Sequence, residues 1–295
     1  MATALLQHLC QRISDETSQP FESFTTQPAS GGCIHQSYIL RGRQHQYFVK
    51  TNRASLINLF ATEAESLKAL AATQTLRVPN PLCFGVKDSH SYLVLEHLDL
   101  IPSRDPADAA AMGTQLAALH RQLAPDNHHG WRASNFIGAT LQPNQPNTNW
   151  IDFWREQRLN WQFQLAQDQG VRFKNRDRLL DNLPHLFRDY RPVPSLLHGD
   201  LWSGNASFTA DGTPVIFDPA SYYGDRETDL AFTELFGSFP PAFYIAYDNA
   251  WPRHSGWQTR RELYNLYHIL NHYHLFGGHY APQAQQMIDQ LVQKL

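Results

Sequence analysis

Apolar positions recur along this chain with two different periods, and the change between them divides it. From Phe21 to Leu98 the runs are short: Ser37 to Arg41, a turn at Gly42-Arg43, Gln46 to Lys50, and Ser91 to Leu95 each read as a strand. One helix interrupts them, because Phe60, Ala64, Leu67 and Leu70 recur at helical spacing between Leu59 and Ala72, and Val78-Pro79-Asn80-Pro81 ends that stretch. After Pro106 the pattern turns helical. Ala109, Met112, Leu116 and Leu119 make one stripe, and further helices are expected over Trp154 to Ala166, Glu262 to Leu275 and Ala284 to Leu295. The expected fold is α+β with two lobes: a small β-rich one over residues 1–98 and a larger helical one over 99–295.

Composition narrows the class. At 295 residues the chain can bury two cores or one two-lobed core, and 42% hydrophobic against 17% charged residues excludes disorder as its main state. A net charge of -3 without a basic stripe argues against nucleic acid as a partner. Apolar runs such as Ala2 to Leu6 are too short for a membrane span and lack a basic lead-in, so neither a signal peptide nor a membrane partner is expected. Three cysteines, Cys10, Cys33 and Cys83, include no C-x-x-C pair. That usage suits a cytoplasmic protein without structural zinc. His268 and His272 share a helix face, but no H-E-x-x-H surrounds them and their neighbours read as aromatic core.

The segment richest in chemistry is His198-Gly199-Asp200-Leu201-Trp202-Ser203-Gly204-Asn205, followed by Val215-Ile216-Phe217-Asp218-Pro219-Ala220. Asn205 follows Asp200 by five positions, the interval of a kinase catalytic loop, although Gly199 stands where such loops carry Arg. One carboxylate can take the proton of an attacking hydroxyl, while an amide and a second carboxylate hold Mg2+ against phosphates. A polar turn between strands would also account for Asp200 and Asn205 if the segment stood alone. It does not. Lys50 ends a hydrophobic strand and can reach the phosphates of ATP, or else is a strand lysine with its head in water. Glu63 shares the apolar face of its helix with Phe60 and Leu67, whereas Glu65 is turned about 200° away. A carboxylate on a buried face needs a cation, and Lys50 is the natural partner.

Two weaker signals complete the set. Gly31, Gly32, Cys33 and Ile34 precede the strand that pairs with the Lys50 strand, and their backbone N–H groups can form a nest for phosphate, although Gly-Gly turns are common. Glu96, His97, Leu98 and Asp99 follow a strand where the lobes should meet, a place for backbone groups to receive adenine.

Together these residues resemble the fructosamine kinase (ketosamine-3-kinase) family, on the protein-kinase-like fold of aminoglycoside phosphotransferases. The resemblance covers nearly the whole chain and also rests on Asn135-Phe136-Ile137-Gly138, Gln142-Pro143-Asn144, Phe153, Arg158-Leu159, Tyr223 to Glu227, Asp229-Leu230-Ala231 and Phe276-Gly277-Gly278, with a modest departure at His35. It implies ATP and Mg2+ as cofactors and phosphorylation of the O3 hydroxyl of free or protein-bound ketosamines, which favours deglycation. It further implies Asp200 as general base, Asn205 and Asp218 as metal ligands, Lys50 and Glu63 as the phosphate-side ion pair, and Glu96 to Asp99 as the hinge. Trp202 would stack on the sugar or brace the loop. Asp229 would anchor the loop backbone. Asp225 would meet the substrate amine or end a surface turn. Cys33 would act as a redox switch linking a homodimer of an otherwise monomeric chain, or simply fit a tight turn. A kinase for an aminoglycoside or choline, and a nucleotide-binding pseudokinase, are the alternatives. Against them stand the absence of a dense acidic run in the later half and the presence of Lys50, Asp200, Asn205 and Asp218 together.

Overall fold

The computed structural model describes residues 1, 3–23, 25–29, 34–103 and 105–295. Helix α1 (Thr3–Thr17) comes first, and its Leu5, Leu9 and Ile13, each four apart, are buried on the outer face of an antiparallel sheet. Strands β1 (Thr25–Ala29), β2 (Gln36–Arg41) and β3 (Gln46–Arg53) lead through helix α2 (Ile57–Ala72) to β4 (Pro81–Lys87) and β5 (His90–Glu96), in the spatial order β1-β2-β3-β5-β4. Alternation gives the sheet two working faces. Leu40, Val49, Tyr92 and Val94 turn outward to α1, whereas Lys50 and its cross-strand neighbour Leu93 turn inward with Leu95, toward α2 and the second lobe.

Three of these elements are absent from the sequence expectation. In α1 only a narrow stripe is buried, so the segment reads as an interrupted apolar run. β1 and β4 are edge strands containing Pro28, Pro81 and Gly85, residues that argue against a central strand but are tolerated where one side of the ladder is unpaired.

Asp105 and Pro106 start helix α3 (Pro106–His120) with a side-chain cap and a ring-fixed first turn. Its Ala109, Met112, Leu116 and Leu119 are buried, the stripe the spacing predicts. A small hairpin follows, β6 (Asn135–Ile137) and β7 (Thr140–Gln142). Helix α4 (Trp150–Trp154), capped by Asn149, passes through a π-helical turn at Arg155–Asn160 into α5 (Trp161–Asp168), so the helix expected from Trp154 starts earlier and widens in the middle. Such wide turns often accompany functional sites, and here the turn carries the fully buried Arg158.

After α6 (Arg176–Asn182) come the short strands β8 (Ser195–Leu196), β9 (Ala206–Phe208), β10 (Pro214–Ile216) and β11 (Tyr223–Gly224), paired β8 with β11 and β9 with β10. Helices α7 (Glu227–Leu235), α8 (Pro241–Ala250), α9 (Trp257–Phe276) and α10 (Tyr280–Gln293) finish the chain. One hydrophobic core runs through both lobes, from Phe60, Leu67, Leu93 and Leu95 to Leu116, Phe153, Leu266 and Leu270. That continuity fixes α2 and the Lys50 strand against the helical lobe. No helix among the described residues is long and apolar enough to cross a membrane.

Candidate active site

Where the lobes meet, Lys50 Nζ lies 2.7 Å from Glu63 Oε1 and 2.7 Å from Asp218 Oδ1. Lys50 and Glu63 are both buried, so neither charge could stay there without the other. Burial works to lower the Lys50 pKa, but Asp218 and Glu63 outweigh it and hold the ammonium charged above the ordinary lysine value. Glu65 points elsewhere, toward Arg132 at 3.6 Å. Asp218 itself is at φ 58°, a left-handed conformation that Asp tolerates better than most residues and that ends the strand abruptly.

The catalytic-loop segment is held by its backbone. Asp229 accepts hydrogen bonds from His198 N at 2.7 Å and Gly199 N at 2.8 Å, while His120 Nε2 lies 3.2 Å from the same carboxylate. The His198 ring spans the two chemical segments: its Nε2 donates to Phe217 O at 3.0 Å, and its Nδ1 accepts from Asp200 N at 3.2 Å. Asn205 Nδ2 donates to Asp200 O at 2.8 Å and to Asp200 Oδ2 at 3.1 Å. Burial first, and then the charge of Asp218, push the Asp200 carboxyl up to about 7. A divalent cation between these groups would reverse that direction.

Pro219 to Ser221 are anchored from the β6–β7 hairpin. Asn135 Nδ2 donates to Ser221 O at 2.8 Å, and Gln142 Nε2 donates to Ala220 O at 3.2 Å and to Asn135 Oδ1 at 2.8 Å. Asn144 Nδ2 also donates to Asn135 Oδ1, and Arg158 Nη2 donates to Asn144 Oδ1 at 2.7 Å. The Arg158 guanidinium lies 4.1 Å from the Tyr222 ring centroid and 4.7 Å from that of Phe153. This buried amide network thereby fixes the peptide that follows Asp218. The resemblance drew attention to Asn135, Gln142, Asn144 and Arg158 without giving them a job. The polar residues of a short hairpin followed by an inward arginine were the available signal.

Lys50, Glu63, Asp200, Trp202, Asn205, Asp218 and Ile34 all line one cleft of about 280 Å³. The Trp202 ring folds back over Gly204, where a β-carbon would come within 2.3 Å of it, and meets Phe236 edge to face at 6.3 Å. It is thus braced by the loop while lining the cleft. His35 also lines the cleft; burial, then the Lys50 charge, push its pKa down to about 4. The β6–β7 turn packs tightly on the cleft wall: a β-carbon on Gly138, at φ 63°, would meet Leu275 and Ile34 within 3.0 Å. Gly31, Gly32 and Cys33 lie outside the described residues, so the phosphate nest and the thiol switch have no geometry here.

The hinge residues sit differently. The Glu96 side chain turns to the outer face of the sheet, paired with Arg77 and accepting from Asn80 N at 3.2 Å, and its own N–H donates to Asn80 O. Glu96, His97 and Asp99 line a separate hollow beside Arg77 and Tyr47. Leu98, between His97 and Asp99, is not among the residues lining that hollow. Asp225 does not reach the cleft. It is fully buried, accepting from Tyr190 Oη at 2.7 Å, from Tyr264 Oη and from Glu227 N, so its placement against a substrate amine is corrected to a structural one. Its neighbour Glu227 is buried against Arg260. A turn rich in charge reads as exposed in sequence, but these charges satisfy one another and tyrosine hydroxyls inside the helical lobe.

Sequence reasoning missed the far wall of the cleft. Phe232, Asn271, His272, Leu275 and Phe276 line it. His268 stacks on Phe232 at 3.5 Å, and His272 Nδ1 donates to the His268 carbonyl at 2.8 Å. These histidines therefore pack as neutral rings on an aromatic wall.

Comparison with known proteins shows the family and the fold. The fructosamine kinase family model matches residues 5–294. A probable ketoamine kinase of Synechocystis sp., slr1563, is 49% identical over 285 residues, covering 96% of each chain. The chloroplastic protein-ribulosamine 3-kinase of Arabidopsis thaliana is 39% identical over 269 residues, 90% of this chain and 82% of the relative. Among solved structures, a candidate fructosamine-3-kinase from Haemophilus somnus 129PT superposes with a TM-score of 0.89 at 29% identity, covering 96% of each chain. Aminoglycoside phosphotransferase APH(4)-Ia superposes with a TM-score of 0.66 at 15% identity over 99% of each chain, a likeness of fold alone. With a two-lobed kinase-like fold and a family model spanning nearly its whole length, this chain belongs to the fructosamine kinase family.

Proposed function

We propose that this protein is an ATP-dependent kinase of ketosamines, transferring a phosphoryl group to the O3 hydroxyl of a sugar joined to an amine. The observation that carries the reading is the convergence of Lys50, Asp200, Asn205 and Asp218 on one cleft, with Glu63 buried behind the lysine. The acceptor class comes from the relatives, named ketoamine kinase and protein-ribulosamine 3-kinase.

Asp200 takes the proton of the attacking hydroxyl, its carboxylate held in place by Asn205 Nδ2. Lys50 meets phosphate oxygens, and Glu63 holds its ammonium in place. The oxygen donors of Asp218 and Asn205 suit Mg2+, and the amide is oriented for it: its nitrogen is spent on Asp200, leaving Oδ1 as the free end. When bound there, the ion would offset phosphate charge. Trp202 offers its ring to the sugar or to the amine. Phosphorylation at O3 would make the amine adduct unstable and so favour deglycation.

An aminoglycoside or choline acceptor fits less well. Apart from Glu63, which faces Lys50, the acidic groups lining the cleft are Asp200 and Asp218, and the rest of its wall is mainly aliphatic, aromatic and amide. The test is steady-state turnover with Mg·ATP against ribulosyl-, erythrulosyl- and fructosyl-amines, free and on protein lysines, beside an aminoglycoside and choline. Turnover is expected with ketosamines alone. Turnover with choline or an aminoglycoside alone overturns the reading, and tight ATP binding without any turnover points to a pseudokinase.

A further inference from the structure

Asn271 is 2% exposed, lines the cleft wall on α9, and leaves one atom unsatisfied. Its Nδ2 donates to Ile137 O at 3.4 Å, whereas its buried Oδ1 has no hydrogen-bond partner. The orientation follows from chemistry, since a backbone carbonyl only accepts and the NH2 end must face it. The free end is therefore an acceptor. An unpaired acceptor inside a protein costs stability, typically about 1–3 kcal/mol, and one on a cleft wall recovers that cost when a ligand hydroxyl meets it. Beside it His272 presents a second acceptor: its Nδ1–H is spent on the His268 carbonyl, which leaves the Nε2 lone pair of the neutral ring free.

We propose that Asn271 Oδ1 is a specificity-determining contact for the acceptor sugar, receiving a hydrogen bond from one of its hydroxyls other than the reacting O3. This rests on the reading of the cleft as a ketosamine-kinase site. A hydroxyl is favoured over the substrate amine on physical grounds. A cation gains from any ring face or carboxylate nearby, and Trp202, Phe232 and the two aspartates already provide those. A sugar hydroxyl in a partly dry cleft needs a directed acceptor instead.

The experiment compares wild type with Asn271→Leu and Asn271→Ala on a ketosamine, on analogues lacking the other hydroxyls one at a time, and on an N-methylated analogue. For the variants, kcat/KM toward the ketosamine should fall about tenfold while KM for ATP stays within about twofold. One deoxy analogue should cost wild type a similar factor and cost Asn271→Leu almost nothing more, the non-additivity expected of a direct contact. Thermal unfolding separates a merely structural role, which would lower the melting temperature of both variants. Asn271→Leu should melt close to wild type, because loss of the long 3.4 Å bond to Ile137 O is offset by removal of an unsatisfied buried acceptor. Wild-type turnover of the ketosamine with unchanged kcat/KM in both variants overturns the proposal, as does coupling to the N-methylated analogue instead of a deoxy one. If wild type phosphorylates no ketosamine at all, it is the functional reading that fails.

Discussion

Gly199 stands against the carbonyl of Ala220 so closely that a β-carbon at position 199 would lie 2.1 Å from its oxygen. The two backbones are also joined by a hydrogen bond from Ala220 N to His198 O at 2.9 Å. Gly199 precedes Asp200 and Ala220 follows Asp218 by two residues, so this contact sets the spacing between the two carboxylates. Protein kinases carry Arg where Gly199 stands; here the left-handed φ of 83° and the neighbouring carbonyl leave room for no side chain.

Gly199→Ala should therefore impair both folding and catalysis. The strain of a positive φ and a backbone clash together cost several kcal/mol, roughly 3 or more. Circular-dichroism melts and turnover should fall together, and a variant with wild-type melting and activity would show that the two segments do not depend on this contact.

The Lys50–Glu63 pair predicts an asymmetric response to charge exchange. Removing one partner of a buried pair typically costs about 3–5 kcal/mol, because the other charge is left behind. Exchanging both, as Lys50→Glu with Glu63→Lys, keeps the pair but places a carboxylate beside Asp218 and toward the phosphates. The double variant should recover stability relative to the single ones without recovering activity. Restored turnover would mean that Lys50 acts only as a partner for Glu63.

Several histidines in this protein are held neutral by their surroundings, and this predicts acid sensitivity. Burial, then the charge of His128, push His129 down to about 4, while burial, His272 and Arg158 set His268 well below its ordinary 6.5. Below pH 6.5 these histidines bind protons in the unfolded chain that they refuse in the folded one, so they lower stability as pH drops from 6.5 toward 4, while the raised Asp200 carboxyl works in the opposite direction. Each such residue contributes a slope of about 1.4 kcal/mol per pH unit in that window. Urea unfolding at pH 7.5, 6.5 and 5.5 measures it, and His129→Phe, beside Trp150 and Phe153, should flatten the acid side. An acid side equally steep in wild type and His129→Phe would contradict the neutral assignment of His129.

The sequence discloses the chemistry of this site better than its enclosure. Helical period alone separates Glu63 from Glu65, and the structure has Glu63 on Lys50 and Glu65 near Arg132. Asp225 shows the limit. Nothing local distinguishes a surface turn from a carboxylate sealed among Tyr190, Tyr264 and its own chain, because the sealing residues arrive from 35 and 39 positions away. Asn271 was hidden for the same reason, and the amide network around Gln142 was legible only as residues without a role. α1 escaped notice because three buried side chains are enough to dock it, leaving the rest of the helix polar or half exposed.

The account depends most directly on the base. Wild type and Asp200→Asn should be incubated with Mg·ATP and a ribulosyl- or fructosyl-lysine, with the product followed by phosphorus NMR. Wild type should accumulate a phosphate monoester at O3. Asp200→Asn should still bind ATP but form product about 10² to 10⁴-fold more slowly, the range of general-base positioning. Near-wild-type product formation by Asp200→Asn, or ATP hydrolysis by wild type with neither a sugar phosphate nor release of the amine, would contradict the account.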